Sequence, residues 1–180
     1  MHKYLIVFIL AISLIIFAGC RPSEGPAVQQ PTADKDITEI EAHEPGQEVA
    51  TGDIVWEVLE VEDLGVQLTH ERFPGILEAE AGRFIGITFF VQNTGDDPKV
   101  IFDLTAIDDT GRTYSICLAA FAFFNNQDAC VLQEIIPGIE NTFNAVFDVE
   151  VDADRLLLKI TDLEIPAGEA AYIDLGIQDL

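Results

Sequence analysis

Apolar and polar residues alternate with period two along Glu140–Val151 (ENTFNAVFDVEV). Phe143, Ala145, Phe147, Val149 and Val151 fall on one side, and Asn144, Asp148 and Glu150 on the other. Successive side chains of a strand point to opposite faces, so this pattern predicts a strand with one buried face. Asp53–Glu62 (DIVWEVLEVE) repeats it, with Ile54, Trp56, Val58 and Glu60 on one face and Val55, Glu57, Leu59 and Val61 on the other. Further strands are predicted over Val66–His70, Arg83–Asn93, Pro98–Asp108, Arg112–Cys117, Leu156–Thr161 and Ala170–Gly176, while Glu71–Gly82 reads as a loop. Turn residues separate the runs: Asn93-Thr94-Gly95-Asp96, Asp108-Asp109-Thr110-Gly111, Pro137-Gly138 and Pro166-Ala167-Gly168. About seven to nine short strands without a long amphipathic helix predict an all-β fold, an antiparallel sandwich of two packed sheets, with a small barrel as the alternative closure.

Two stretches lie outside this pattern. The chain opens MHKYLIVFILAISLIIFAGC, in which Lys3 precedes an apolar run from Leu5 to Ala18 broken only by Ser13. A bilayer-spanning helix needs about 20 apolar residues, so this shorter run predicts a signal-peptide core. Its end, Phe17-Ala18-Gly19-Cys20, resembles the bacterial lipobox, with Phe17 where that motif usually carries Leu. The resemblance implies cleavage before Cys20 and attachment of diacylglycerol to its thiol. A plain secretory signal cut after Gly19 is the alternative. Two or three acyl chains anchor stably where one holds only marginally. The expected partner is thus the membrane, reached through the lipid on Cys20, and the expected location is the cell envelope, facing the extracytoplasmic side.

After the signal segment (residues 1–19), residues 20–51 change character. Pro22, Pro26, Pro31 and Pro45 recur among Ser, Glu, Gln, Gly and Ala, without aromatic residues or apolar period. Such a segment buries too little surface to offset its ordering entropy and predicts a disordered tether, with a coil reach of about 30 Å. The folded domain is expected over residues 52–180.

Within that domain, GRFIGITFFVQNTGDDP (Gly82–Pro98), then FDLTAIDDTGRTY (Phe102–Tyr114), IIPG, VFDVEV and a final AYIDLG resemble the telokin-like family of bacterial extracellular immunoglobulin-like domains. The resemblance implies an immunoglobulin-like sandwich of unknown function. It brings no catalytic residues.

Charge narrows the partners. The formal net charge is -23, from 9 Lys+Arg against 32 Asp+Glu. Binding nucleic acid releases counterions in exchange for protein cations, which this chain lacks, so nucleic acid is excluded as an expected partner. Polybasic docking on anionic lipid is excluded for the same reason. An unknown protein or small ligand is left.

Cys117 and Cys130 form an even pair in an exported chain, where disulfides persist. A disulfide is expected, contributing about 3 kcal/mol in the chain-entropy model, with two buried free thiols as the alternative. Between them lies LAAFAFFNNQDA, whose Phe121, Phe123 and Phe124 read either as core or as a loop presenting an apolar interaction patch.

Asp96-Asp97, Asp108-Asp109 and Asp152/Asp154 could bring carboxylates to calcium, but no EF-hand spacing is present and all three read as solvated turns. Within 52–180 Ser115 and His70 are the lone serine and histidine, and no G-x-S-x-G elbow occurs. Nucleophilic catalysis therefore has little material. A single histidine is a poor start for zinc. Trp56 reads as sandwich core in preference to a sugar platform. No catalytic residue, metal or cofactor is expected. The expected function is a non-enzymatic interaction or ligand-binding module at the cell surface. The alternatives are an accessory subunit of an envelope assembly or transporter, or a carboxylate-based carbohydrate-acting enzyme.

Overall fold

The structure, a computed structural model, describes residues 40–69, 75–123 and 129–179. The signal segment, Cys20 and most of the tether lie outside the described residues, as do His70 and Phe124. In chain order the strands are β1 (Val49–Thr51), β2 (Ile54–Gly65), β3 (Gln67–Thr69), β4 (Ile76–Glu78), β5 (Gly82–Asn93) and β6 (Lys99–Ile101). Then come β7 (Thr105–Asp108), β8 (Thr113–Ser115), β9 (Gln133–Ile135), β10 (Glu140–Glu150), β11 (Leu156–Thr161) and β12 (Ala170–Asp174). Two 4-stranded sheets, in the orders β1-β2-β5-β10 and β12-β11-β7-β8, make an antiparallel immunoglobulin-like sandwich. Two 2-stranded ribbons, β3-β4 and β6-β9, accompany them.

The period-two pattern explains the core. Ile85, Ile87, Phe89 and Val91 of β5 face inward beside Phe143, Ala145, Phe147 and Val149 of β10. Leu156, Leu158 and Ile160 of β11 join the same cluster from the other sheet. Trp56 is buried at its centre, 5.8 Å from the Phe89 ring, and its indole Nε1 donates to the Thr51 hydroxyl (3.2 Å) and the Thr161 carbonyl (3.1 Å). That satisfies the polar tip of an aromatic that could not otherwise be buried without cost.

Two sequence expectations are corrected here. The first is the boundary of the 20–51 tether. His43 N donates to the Tyr172 carbonyl (2.9 Å) and Asp174 N to the His43 carbonyl (2.8 Å), so the chain lies parallel to β12 before crossing to β1 in the other sheet. Val49 and Thr51 are buried. A strand of 3 residues carries too little periodicity to stand out from proline-rich surroundings. The second is the face assignment in β2. A bulge between Val58 and Glu60 leaves Leu59 unpaired, so the alternation slips and Glu60 turns outward, opposite Thr88.

The outer face of the β1-β2-β5-β10 sheet carries a second, smaller cluster: Leu68, Phe84, Ala120 and Val146, with Leu77, Cys117 and Phe123 packed against it. The β3-β4 ribbon and a 3-10 helix, Leu118–Ala122, cover that end of the face. This arrangement overturns the expected disulfide. Cys117 packs in the outer cluster, held by its N–H to the Val146 carbonyl (2.7 Å), while Cys130 is buried in the main core. The two thiols are free because they occupy opposite sides of β10. Burial pushes the Cys130 thiol up to about 12.

Candidate functional site

The two turn motifs between the strands each centre on a fully buried polar residue. At the end of β5, Asn93 donates through Nδ2 to the carbonyls of Asp97 (2.8 Å) and Ile135 (3.0 Å). Its Oδ1 accepts from Gly95 N (3.0 Å), and its carbonyl accepts from Gly138 N (2.8 Å). One residue thus ties the NTGD turn, through its side-chain amide, to β9 and, through its carbonyl, to the Pro137-Gly138 turn. A Cβ at Gly95 would stand 2.8 Å from Asp53 Oδ2, so a larger residue there would displace that exposed carboxylate.

At the opposite end of the sandwich, Asp108 was expected in a solvated turn and is instead fully buried. Its Oδ1 accepts from Thr110 N (2.9 Å), Thr110 Oγ1 (2.8 Å) and Arg112 N (2.9 Å). Its Oδ2 accepts from Tyr114 Oη (2.7 Å) and from Arg112 Nε. Burial pushes the carboxyl up, but the hydrogen bonds from Tyr114, Thr110 and Arg112 outweigh it and hold the group at about 2. Arg112 also reaches Asp152 (2.8 Å), and Arg155 pairs with Asp174 (2.6 Å). These carboxylates are engaged with arginines and backbone amides. Among the described residues no group of His, Cys, Asp and Glu is arranged to hold a metal ion.

The remaining polar feature lies on the uncovered part of the outer sheet face. Cross-strand register sets Glu57, Phe90 and Thr142 in one row, Glu60, Thr88 and Asn144 in the next, and Glu62, Gly86 and Val146 in the third. A shallow groove runs between the β2 glutamates and Asn144, with Gly86, Ile87 and Thr88 as its floor. Asn144 is 6% exposed, and its Oδ1 accepts from the Thr88 hydroxyl (2.8 Å). Among the described residues the buried side-chain atom without a partner is Arg83 Nε, not a nitrogen or oxygen of Asn144. Glu60 and Glu62 are exposed and enter none of the ion pairs of the described residues.

Of the residues singled out from sequence, Cys117 and Cys130 are separated as described above. Phe121 is half-buried against the main core and Phe123 half-buried against the outer cluster, its ring 3.7 Å from the position a Cβ would take at Gly75. The two rings therefore diverge to different clusters. Cys20 and Phe124 lie outside the described residues. Sequence reasoning placed Asn93 and Asp108 in turns but missed their burial, and it missed the Glu60–Asn144 groove. One usable signal existed for Asn144: its outward neighbour on β10 is Val146, an apolar residue on a face that otherwise reads as solvated.

Fold and site together define an all-β, antiparallel immunoglobulin-like sandwich whose buried polar residues mostly serve its turns. Three solved structures share that fold with this chain. The yjhA protein from Bacillus subtilis matches at TM-score 0.53 and 11% identity, covering 66% of this chain and 81% of that one. A conserved hypothetical protein from Bacillus anthracis matches at TM-score 0.50 and 14% identity, over 66% and 89%. A proposed lipoprotein, ycdA, from Bacillus subtilis matches at TM-score 0.50 and 15% identity, over 74% of this chain but 38% of that one. No family model matches the chain, and no curated protein matches it.

Proposed function

We propose that the protein is a lipid-anchored, extracytoplasmic immunoglobulin-like domain of the telokin-like kind, working as a non-enzymatic interaction module at the cell surface. The observation that carries this reading is the juxtaposition of Leu5–Cys20, an apolar run ending in a lipobox-like cysteine, with a sandwich beginning near His43. That leaves about two dozen residues between lipid and fold, enough to hold the domain clear of headgroups. A neighbour of the same fold is itself described as a proposed lipoprotein. The buried carboxylate Asp108 supports the non-enzymatic reading. It is enclosed by five hydrogen bonds and held low, whereas a general acid or base works near its operating pH. Metabolic labelling with a fatty acid tests the anchor. Label should enter the wild-type chain and disappear in Cys20→Ser, whereas protein free in the medium with an unmodified N-terminus would overturn it.

A further inference from the structure

We infer that residues 43–51 form a clasp that opens from the folded sandwich as one unit, hinged at Gly52, and so governs whether the edges of β2 and β12 are exposed. The clasp joins the two sheets. On one sheet, His43 N donates to the Tyr172 carbonyl (2.9 Å) and the His43 carbonyl accepts from Asp174 N (2.8 Å). On the other, Gly46 N donates to the Val58 carbonyl (2.8 Å), and Val49, Ala50 and Thr51 pair with Trp56, Val55 and Ile54. Closed, it covers one edge of each sheet. Open, it leaves unpaired N–H and C=O groups on β2 from Ile54 to Val58 and on β12 from Tyr172 to Asp174. Such an edge is where an extended segment adds by main-chain hydrogen bonds. The interaction-module reading thereby gains a closed and an open form, and neither depends on the lipid anchor.

Three observations make the clasp separable from the rest. It is lightly seated. From His43 to Thr51, Val49 and Thr51 are buried and the other residues are exposed, so Val49 is the apolar side chain that fixes it to the main core. Opening forgoes far less apolar burial than parting β5 from β10, whose ladder runs from Glu140↔Gln92 to Glu150↔Gly82. Next, what the clasp leaves behind stays satisfied. β2 keeps its pairing with β5 along its other edge. Trp56 Nε1 loses the Thr51 hydroxyl but keeps the Thr161 carbonyl (3.1 Å), so the buried indole donor is not stranded. Last, the hinge is defined. Gly52 sits at φ +55, where glycine moves at little steric cost. The next residue is pinned, its carbonyl accepting from Thr94 N (2.8 Å) and Thr94 Oγ1 (2.9 Å). Movement therefore stops at Gly52 and does not draw β2 away from β5.

Two adjacent amides supply the test. Asp174 N donates to the clasp, whereas Leu175 N donates to the Leu156 carbonyl (2.8 Å). Amide hydrogen exchange is followed by NMR on the full-length protein in detergent. His43, Gly46 and Asp174 should exchange with one common opening constant, about tenfold or more above that of Leu175. Val49→Ala removes the apolar seat and should speed those three amides about tenfold. Val149→Ala thins the core on β10, at the far edge of the same sheet, and weakens the closed and open forms alike. It should speed the β5–β10 ladder amides about tenfold and leave the three clasp amides unchanged. Asp174 exchanging no faster than Leu175, or clasp amides that speed up with the ladder in Val149→Ala, would overturn the clasp, since the segment would then open only with the whole fold. Gly46 protected like the ladder while His43 and Asp174 exchange freely would overturn the single unit.

Discussion

Asn93 and Asp108 sit at opposite ends of the sandwich and do the same job by different chemistry. Each is fully buried at the end of a strand and each gathers the turn that follows it. Asn93 does so as a neutral amide that both donates and accepts, so its turn is indifferent to acid. Asp108 does so as an ionised acceptor facing only donors, Thr110, Arg112 and Tyr114, so its turn depends on the carboxyl staying deprotonated. A buried amide and a buried carboxylate are thus equivalent as scaffolds and differ as titratable elements.

The largest test of this contrast is deletion of each side chain. Asp108→Ala strands three kinds of donor around the site, including a guanidinium, and should cost about 3–5 kcal/mol in urea unfolding. Asn93→Ala leaves the buried Ile135 carbonyl and the Asp97 carbonyl short of a donor and should cost about 2–3 kcal/mol. An Asn93 variant more damaging than the Asp108 variant would reverse the ranking.

Acid is the next largest. Asp108 titrates at about 2 in the folded protein against about 3.9 in an unfolded chain. Its folded value is depressed, so its contribution is complete above about pH 4 and is lost as pH falls through about 2, amounting to about 2 kcal/mol. Urea titrations across that window should show the loss in wild type and in Asn93→Ala, and a shallower pH slope in Asp108→Asn. An unchanged slope in Asp108→Asn would assign the acid sensitivity to other carboxylates. The smallest effect is Tyr114→Phe. It removes one donor to a charged acceptor, at about 1.5 kcal/mol, and should shift the acid transition toward higher pH. A variant of unchanged midpoint would remove Tyr114 from the set that holds the carboxyl down.

Most of the sheet framework was legible from alternation alone. Runs such as Glu140–Val151 and Arg83–Asn93 keep one face apolar for long enough that only a strand fits. Pro98–Asp108 was legible only in part, because Phe102–Leu104 breaks the run into β6 and β7. The short strands β1, β4 and β9, of 3 residues each, were not legible, since their place is set by what they pair with. The polar residues failed for a different reason. An aspartate in a turn reads as solvated, and nothing local says that Arg112 and Tyr114 fold back to enclose it. The bulge at Leu59 was equally invisible, and with it the outward turn of Glu60 that makes the candidate groove.

The entry of the chain beside β12 has a mechanical consequence. His43 pairs with Ile173 in parallel, so residues 40–42 lie on the side from which β12 begins. On the anchored reading, a pull from the membrane would reach the sandwich first at His43. The first bonds to feel it would be the two between His43 and β12. Behind them β1 is paired with β2 at each of Val49, Ala50 and Thr51, so strain would meet a bonded strand before it met the core.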